Sequence, residues 1–106
     1  MDEDQSYRYA EASLDNNPIH VDPDTAKAAG LPNVILHGLC TMAMSGKSVV
    51  DTLAEGDPRR LKRLGVRFAS PVFNSSELTT QGWKTDNGSN FIVRDENGKV
   101  VIANGV

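Results

Sequence analysis

Leu36, Leu39, Cys40, Ala43, Gly46, Val50, Leu53 and Ala54 recur at three- and four-residue spacing through "LHGLCTMAMSGKSVVDTLA", residues 36–54, and Met42 and Val49 widen the stripe. The first half of this run is apolar nearly all round. It predicts a helix enclosed by the rest of the domain, roughly 28 Å long at about 1.5 Å per residue. Two shorter helices precede it. Residues 4 to about 13 form one, ended by an Asn-Asn-Pro turn; Asp22-Pro23 opens the other as N-cap and first helical residue, and Gly30 with Pro32 closes it.

Near residue 58 the pattern changes to strands and turns. Four strand-like runs follow: Leu64 to Phe73, Glu77 to Lys84, Asn90 to Arg94 and Lys99 to Ala103. "DNG" at 86–88 and "ENG" at 96–98 place Asn-Gly between such runs, the short-range signature of hairpins, so the last three runs are expected to form an antiparallel meander. Pro71 cannot donate to a ladder and demands an edge or a bulge in the first run. A long apolar helix followed by an antiparallel sheet predicts an α+β domain in which the sheet wraps the helix.

Composition narrows the class. The 106 residues allow one core, read as a single domain over 1–106, and 39% hydrophobic with 24% charged residues is the range of a folded globular chain. The net charge of −3 argues against a nucleic-acid partner. The single cysteine, Cys40, rules out an intrachain disulfide and a cysteine-based zinc site, and suits a reducing compartment. No apolar run approaches the roughly 18 residues of a membrane span. The expectation is a cytoplasmic protein with no membrane partner.

Candidate chemistry begins at "SLDNNPIH", residues 13–20. A turn through Asn17-Pro18 would bring Asp15 and His20 to one side, where a carboxylate and an imidazole sharing a water can take one proton from it and deliver another. Spacing alone equally allows Asp15 as the stop of the first helix and His20 as a satisfied loop histidine. Gly38, at the start of the central helix, offers an N–H to an oxyanion; its plain alternative is close packing, with His37 capping or buried. His20, Asp22 and Asp24 alternate, but Asp22 is better used as an N-cap and two ligands do not close a site, so no metal is expected. Ser45 is read as bonded back to its own helix, and Met42 and Met44 as core. The basic run of Arg59, Arg60, Lys62 and Arg63 reads as a solvated face or as a contact for the phosphates of a nucleotide-bearing thioester.

The stretch "SLDNNPIHVDPDTAKAAGLPNVILHGLCTMAMSGKSVV" resembles the signature region of the MaoC-like (R)-specific enoyl-CoA hydratases, including the hydratase 2 domain of peroxisomal multifunctional enzymes. The pattern Asp-x-Asn-Pro-x-His, a short helix, then His-Gly-Leu-Cys-Thr carries it, and the likeness continues through "VRFASPVF" and "TTQGWK" to "VVIANGV", covering about residues 8–106. The resemblance implies a hot-dog fold, an antiparallel sheet around a long central helix. It implies syn addition of water to a trans-2-enoyl thioester of CoA or acyl carrier protein, giving the (3R)-3-hydroxyacyl product, or the reverse dehydration. Asp15 and His20 fall on the catalytic pair, Asn17 on the ordering asparagine, and Gly38 on the N–H that polarises the thioester carbonyl. No metal or redox cofactor is implied.

Two departures from the family pattern stand out. Leu14 occupies the position usually held by Gly before the catalytic Asp, and the N-terminal strand of the fold is expected to be missing. An incomplete sheet would call for a homodimer or a second hot-dog half. The rival readings are a hot-dog acyl-CoA thioesterase and a truncated, non-catalytic hot-dog subunit that binds acyl chains or a partner.

Overall fold

The computed structural model describes residues 1–86 and 88–105, without the side chain of Asn104. Three α-helices come first, α1 (Gln5–Ser13), α2 (Pro23–Ala28) and α3 (Gly38–Leu53), followed by four strands, β1 (Arg67–Phe68), β2 (Thr79–Thr85), β3 (Gly88–Arg94) and β4 (Val100–Gly105). The residues group into two compact units, one of 1–41 with 71–77 and one of 42–70 with 78–106.

In the first unit the side chain of Asn74 clasps α1, accepting from Ser6 N–H at 2.9 Å and donating to Ser6 Oγ at 2.8 Å. Ser6 is fully buried, so both of its polar groups need such partners. The same segment meets the chain ahead of α3, where Leu36 N–H donates to Val72 O at 2.7 Å and Ile35 bridges Phe73. Helix α3 begins at Gly38, where the His-Gly pair was read as opening it and two residues into the apolar run of 36–54, because the backbone at 35 and 36 is already paired outside the helix. α2 starts as read, with the Asp22 carboxylate accepting from Asp24 N–H at 3.1 Å, and Gly30 beyond its end at φ 90°.

In the second unit the strands form one antiparallel sheet in the order β1-β4-β3-β2, so the expected meander is present. Thr85 pairs with Gly88 where the "DNG" turn was expected, and Asn87 of that turn lies outside the described residues. "ENG" behaves as read. Gly98 sits at φ 79°, its N–H donates to Asp95 O at 3.0 Å, and the Asp95 carboxylate caps the amides of Asn97 and Lys99. The first strand run is shortened to Arg67–Phe68, because past Ser70 the chain leaves the sheet at Pro71.

Register explains the core. Arg94 faces Val100 but Val93 faces Ile102, so Val101 is an extra residue on β4. A bulge lets two consecutive side chains turn inward, and Val101 and Ile102 are both buried, with Phe91 and Val93 beside them. Helix α3 is less enclosed than its composition implies. Thr41, Ser45 and Val49, one turn apart, are buried along with Cys40, while Leu39 is 64% exposed and Ala43 is exposed. Ser45 can take the inner stripe because its Oγ donates to Met42 O at 2.9 Å within the helix, whereas Thr41 Oγ1 is buried there with no hydrogen-bond partner among the described residues. Among the described residues no helix is long and apolar enough to cross a membrane.

Two glycines mark where backbone must come close. A Cβ on Gly82 would lie 2.9 Å from Leu53 Cδ1, and one on Gly105 would lie 2.6 Å from the Phe91 ring. Leu53 has a flexible end, whereas Phe91 is 1% exposed and has nowhere to go. Gly105→Ala is therefore expected to lower stability by about 1–3 kcal/mol, the usual cost of overpacking, read from a reduced urea midpoint at unchanged denaturant slope.

Candidate functional site

The loop after α1 is built from short side-chain-to-backbone bonds. Leu14 closes the helix in the left-handed region, φ 65°, its N–H reaching Ala10 O at 2.9 Å. Asp15 Oδ1 then accepts from Asn17 N–H, and Asn17 Oδ1 from Ile19 N–H, both at 3.3 Å. Pro18 opens a 3-10 turn that ends at His20. Asp15, Asn17 and Pro18 thus use the turn chemistry expected of them, each bond fixing the next residue's direction.

The turn delivers His20 into the interior, 8% exposed, with Nδ1 2.8 Å from Ile35 O. A carbonyl oxygen only accepts, so Nδ1 carries the hydrogen and Nε2 keeps its lone pair. His37 sits directly against it: the two rings are stacked with centroids 3.8 Å apart and planes 22° apart. His37 Nε2 lies 2.8 Å from the backbone oxygen of Asp15, and Tyr9 packs on the same imidazole at 4.8 Å. The Asp15 carboxylate and one nitrogen of each histidine lie within 4.8 Å of one another.

This group of three has the composition of a metal site but not its geometry. Nearly parallel planes 3.8 Å apart cannot both contain an ion roughly 2.0–2.1 Å from each ring nitrogen. Asp22 is engaged elsewhere: its hydrogen bonds to the Thr25 hydroxyl and to the Asp24 amide hold its carboxyl below the usual range. What the arrangement can do is transfer protons, with an exposed carboxylate within 4.8 Å of an imidazole whose ring is held in a fixed direction.

Gly38 is the first residue of α3, where N–H groups have no partner within the helix, and His37 O already accepts from Cys40 and Thr41. Cys40 is buried, and desolvation pushes its thiol up, with Gln5 Nε2 at 4.0 Å as a weak counterweight. An inert thiol is the result.

The basic run belongs to the second unit. Arg59 is turned back onto Asp57 at 3.0 and 3.1 Å, a pairing that lowers the Asp57 carboxyl, and its side chain is 89% exposed. Arg60, Lys62 and Arg63 line a cavity of about 580 Å³ whose other walls include Val49, Leu53, Phe91 and Lys84. Arg60 also pairs with Glu55 at 3.3 Å.

The sequence reading had His37 only as capping or buried, and it is buried, but did not place it in the site; Lys84 it did not single out. For His37 the signal was the His-Gly pair at a helix start; for Lys84 it was only a hairpin register.

A family model described as "MaoC like domain" matches residues 1–105. The chain is 45% identical over 93 residues to "Peroxisomal multifunctional enzyme type 2" of Mus musculus, covering 87% of this chain and 13% of that protein. It is 35% identical over 106 residues to "Probable enoyl-CoA hydratase 2" of Dictyostelium discoideum, covering 98% of this chain and 36% of that one. Its fold superposes on the full-length peroxisomal multifunctional enzyme type 2 of Drosophila melanogaster with a TM-score of 0.91 at 39% identity, over 98% of this chain and 20% of that structure. The chain therefore spans well under two thirds of each of these proteins.

Leu14, at φ 65° and 81% exposed, holds the left-handed position immediately before Asp15. That region costs an L-residue roughly 1–2 kcal/mol, against about 0.5–1 kcal/mol of extra backbone entropy for glycine. Leu14→Gly is expected to stabilise the fold by about 0.5–1 kcal/mol, measured as a raised urea midpoint.

Proposed function

The chain belongs to the MaoC-like domain family and has its α+β hot-dog fold, and on that premise we propose that it is an (R)-specific enoyl-CoA hydratase domain, or the reverse 3-hydroxyacyl dehydratase. The observation that carries the proposal is the pairing of His20, its ring oriented by the Nδ1–H bond to Ile35 O, with the Asp15 carboxylate, an oxygen of which lies within 4.8 Å of a His20 ring nitrogen. The name of the Dictyostelium relative supports the same chemistry.

In this reading water adds across the C2=C3 bond of a trans-2-enoyl thioester. The dyad removes one proton from the water as its oxygen bonds C3, and a proton is delivered to C2, so that H and OH both end on the product. Asn17 holds the bend that presents the pair. Gly38 N–H, at the positive end of α3, polarises the thioester carbonyl as negative charge develops on its oxygen. No metal or redox group takes part. Arg60, Lys62 and Arg63, with Lys84, supply positive charge for the phosphates of the thioester carrier, and Arg59 is the weakest of the expected contacts because Asp57 occupies it.

Pairing with a second copy or a second hot-dog half belongs to the same proposal. It is supported by edge strand β2, which among the described residues has one side without a strand partner, lies almost wholly exposed, and carries Trp83 at 47% exposure. Cytoplasmic placement is supported by the lone buried thiol, with the peroxisome named for several relatives as its alternative.

The test is hydration of crotonyl-CoA by the full-length protein, with product chirality read by stereospecific dehydrogenases. Enoyl absorbance is expected to fall with no free thiol released. Asp15→Asn and His20→Ala should each lower kcat by about 10²–10⁴-fold. Release of free CoA would instead support a thioesterase, and activity surviving both substitutions would sink the dyad.

A further inference from the structure

His37 lies outside the pair to which the reaction is assigned, yet it touches both members. Its Nε2–H donates to the Asp15 carbonyl oxygen at 2.8 Å, and its ring stacks on His20 at 3.8 Å. It is 2% exposed, and its other nitrogen, Nδ1, is buried with no hydrogen-bond partner among the described residues. A buried polar nitrogen with no partner costs free energy, so a residue that served only to fill space would be better replaced by an apolar one.

From this geometry we propose that His37 is the positioning residue of the site, a single imidazole that sets the carboxylate and the base relative to each other. This inference rests on the hydratase reading of the Asp15–His20 pair. Two degrees of freedom need fixing. Asp15 lies on an exposed loop held by bonds of 3.2 and 3.3 Å, and the shorter 2.8 Å bond from His37 is what ties its main chain to the start of α3. His20 is pinned at Nδ1 by Ile35 O but can still rotate about that bond, and the stacked ring sets its plane. The neutral Nε2–H form of His37 meets both needs, since the carbonyl requires a donor and the buried Nδ1 has no acceptor for a second hydrogen.

The two contacts can be separated by substitution. His37→Phe keeps a ring against His20 and removes the donor; His37→Gln keeps a donor near the Nε2 position and removes the ring. A misplacement on the order of 1 Å costs about 100-fold in rate, so His37→Phe is expected to lose about 100-fold in kcat with KM nearly unchanged. His37→Gln should recover at least about 10-fold of that loss. With rates normalised to the folded fraction from circular dichroism, a wild-type kcat in His37→Phe, a Gln variant no better than Phe, or a loss carried by KM would overturn the proposal. Should the Phe variant fail to fold, His37→Met takes its place as the donor-free variant.

Imidazole ¹⁵N spectra of the wild-type protein supply a reading free of activity. His37 is expected as the Nε2–H form and His20 as the Nδ1–H form; His37 found as the Nδ1–H form overturns the proposal whatever the enzyme does. A wild type that hydrates nothing while keeping these two forms defeats the hydratase reading instead.

Discussion

The site depends on the main chain of one residue, Ile35. Its N–H donates to Ile19 O at 3.1 Å, its carbonyl accepts from His20 Nδ1 at 2.8 Å, and it bridges Phe73. Backbone groups buried away from water must be paired, so these bonds are an obligation of the fold before they are a service to the site. One extended residue thereby ties the 3-10 turn of residues 18–20 and the 71–77 segment to the entrance of α3. His20 is oriented by a group that cannot rotate, and the tautomer follows from it. The Ser6–Asn74 clasp acts in the same unit, fastening α1, and with it the start of the Leu14–Asp15 loop, to that segment.

What was legible in the sequence is what local chemistry determines. The N-cap at Asp22, the Asn-Pro bend, the bonded hydroxyl of Ser45 and the Asp95–Gly98 turn each depend on residues within four positions of one another, and each is present. The apolar run begins at Leu36, two residues ahead of α3, and what holds those two residues out of the helix, Val72, is far along the chain. The enclosed face of α3 was misjudged for a similar reason. Leu39 and Ala43 have the apolar character of buried residues, but Thr41 and Ser45 take the inner stripe, and hydrophobicity alone cannot rank a hydroxyl bonded within its helix, as at Ser45, against a leucine. His37 was invisible as a partner of Asp15 since nothing in the sequence encodes a hydrogen bond from its ring to a carbonyl 22 residues away.

The second unit shows how a small sheet makes room for both a core and a cavity. The extra residue at Val101 turns two side chains inward, and glycine at 105 gives the Phe91 ring the space that a methyl group would take. Phe91 and Leu53 then form apolar wall for a cavity whose other lining carries Arg60, Lys62, Arg63 and Lys84. Cations held on separate strands and turns around one cavity repel each other, a repulsion that an entering anion would relieve.

Orientation of His20 by a carbonyl rather than by a carboxylate has a consequence for the proposed chemistry. A carboxylate behind an imidazole both orients it and stabilises the imidazolium formed when it takes a proton, whereas a neutral carbonyl does the first and only part of the second. Among the described residues the anion in this group is Asp15. It must therefore serve in front of His20, exchanging protons with the water and balancing charge on the ring in the same step. One group with two duties tolerates little displacement, because distance enters both the proton transfer and the Coulomb attraction. That places the demand on what holds Asp15: the left-handed turn at Leu14, the Asn17 amide on its carboxylate, and the His37 ring behind its main chain.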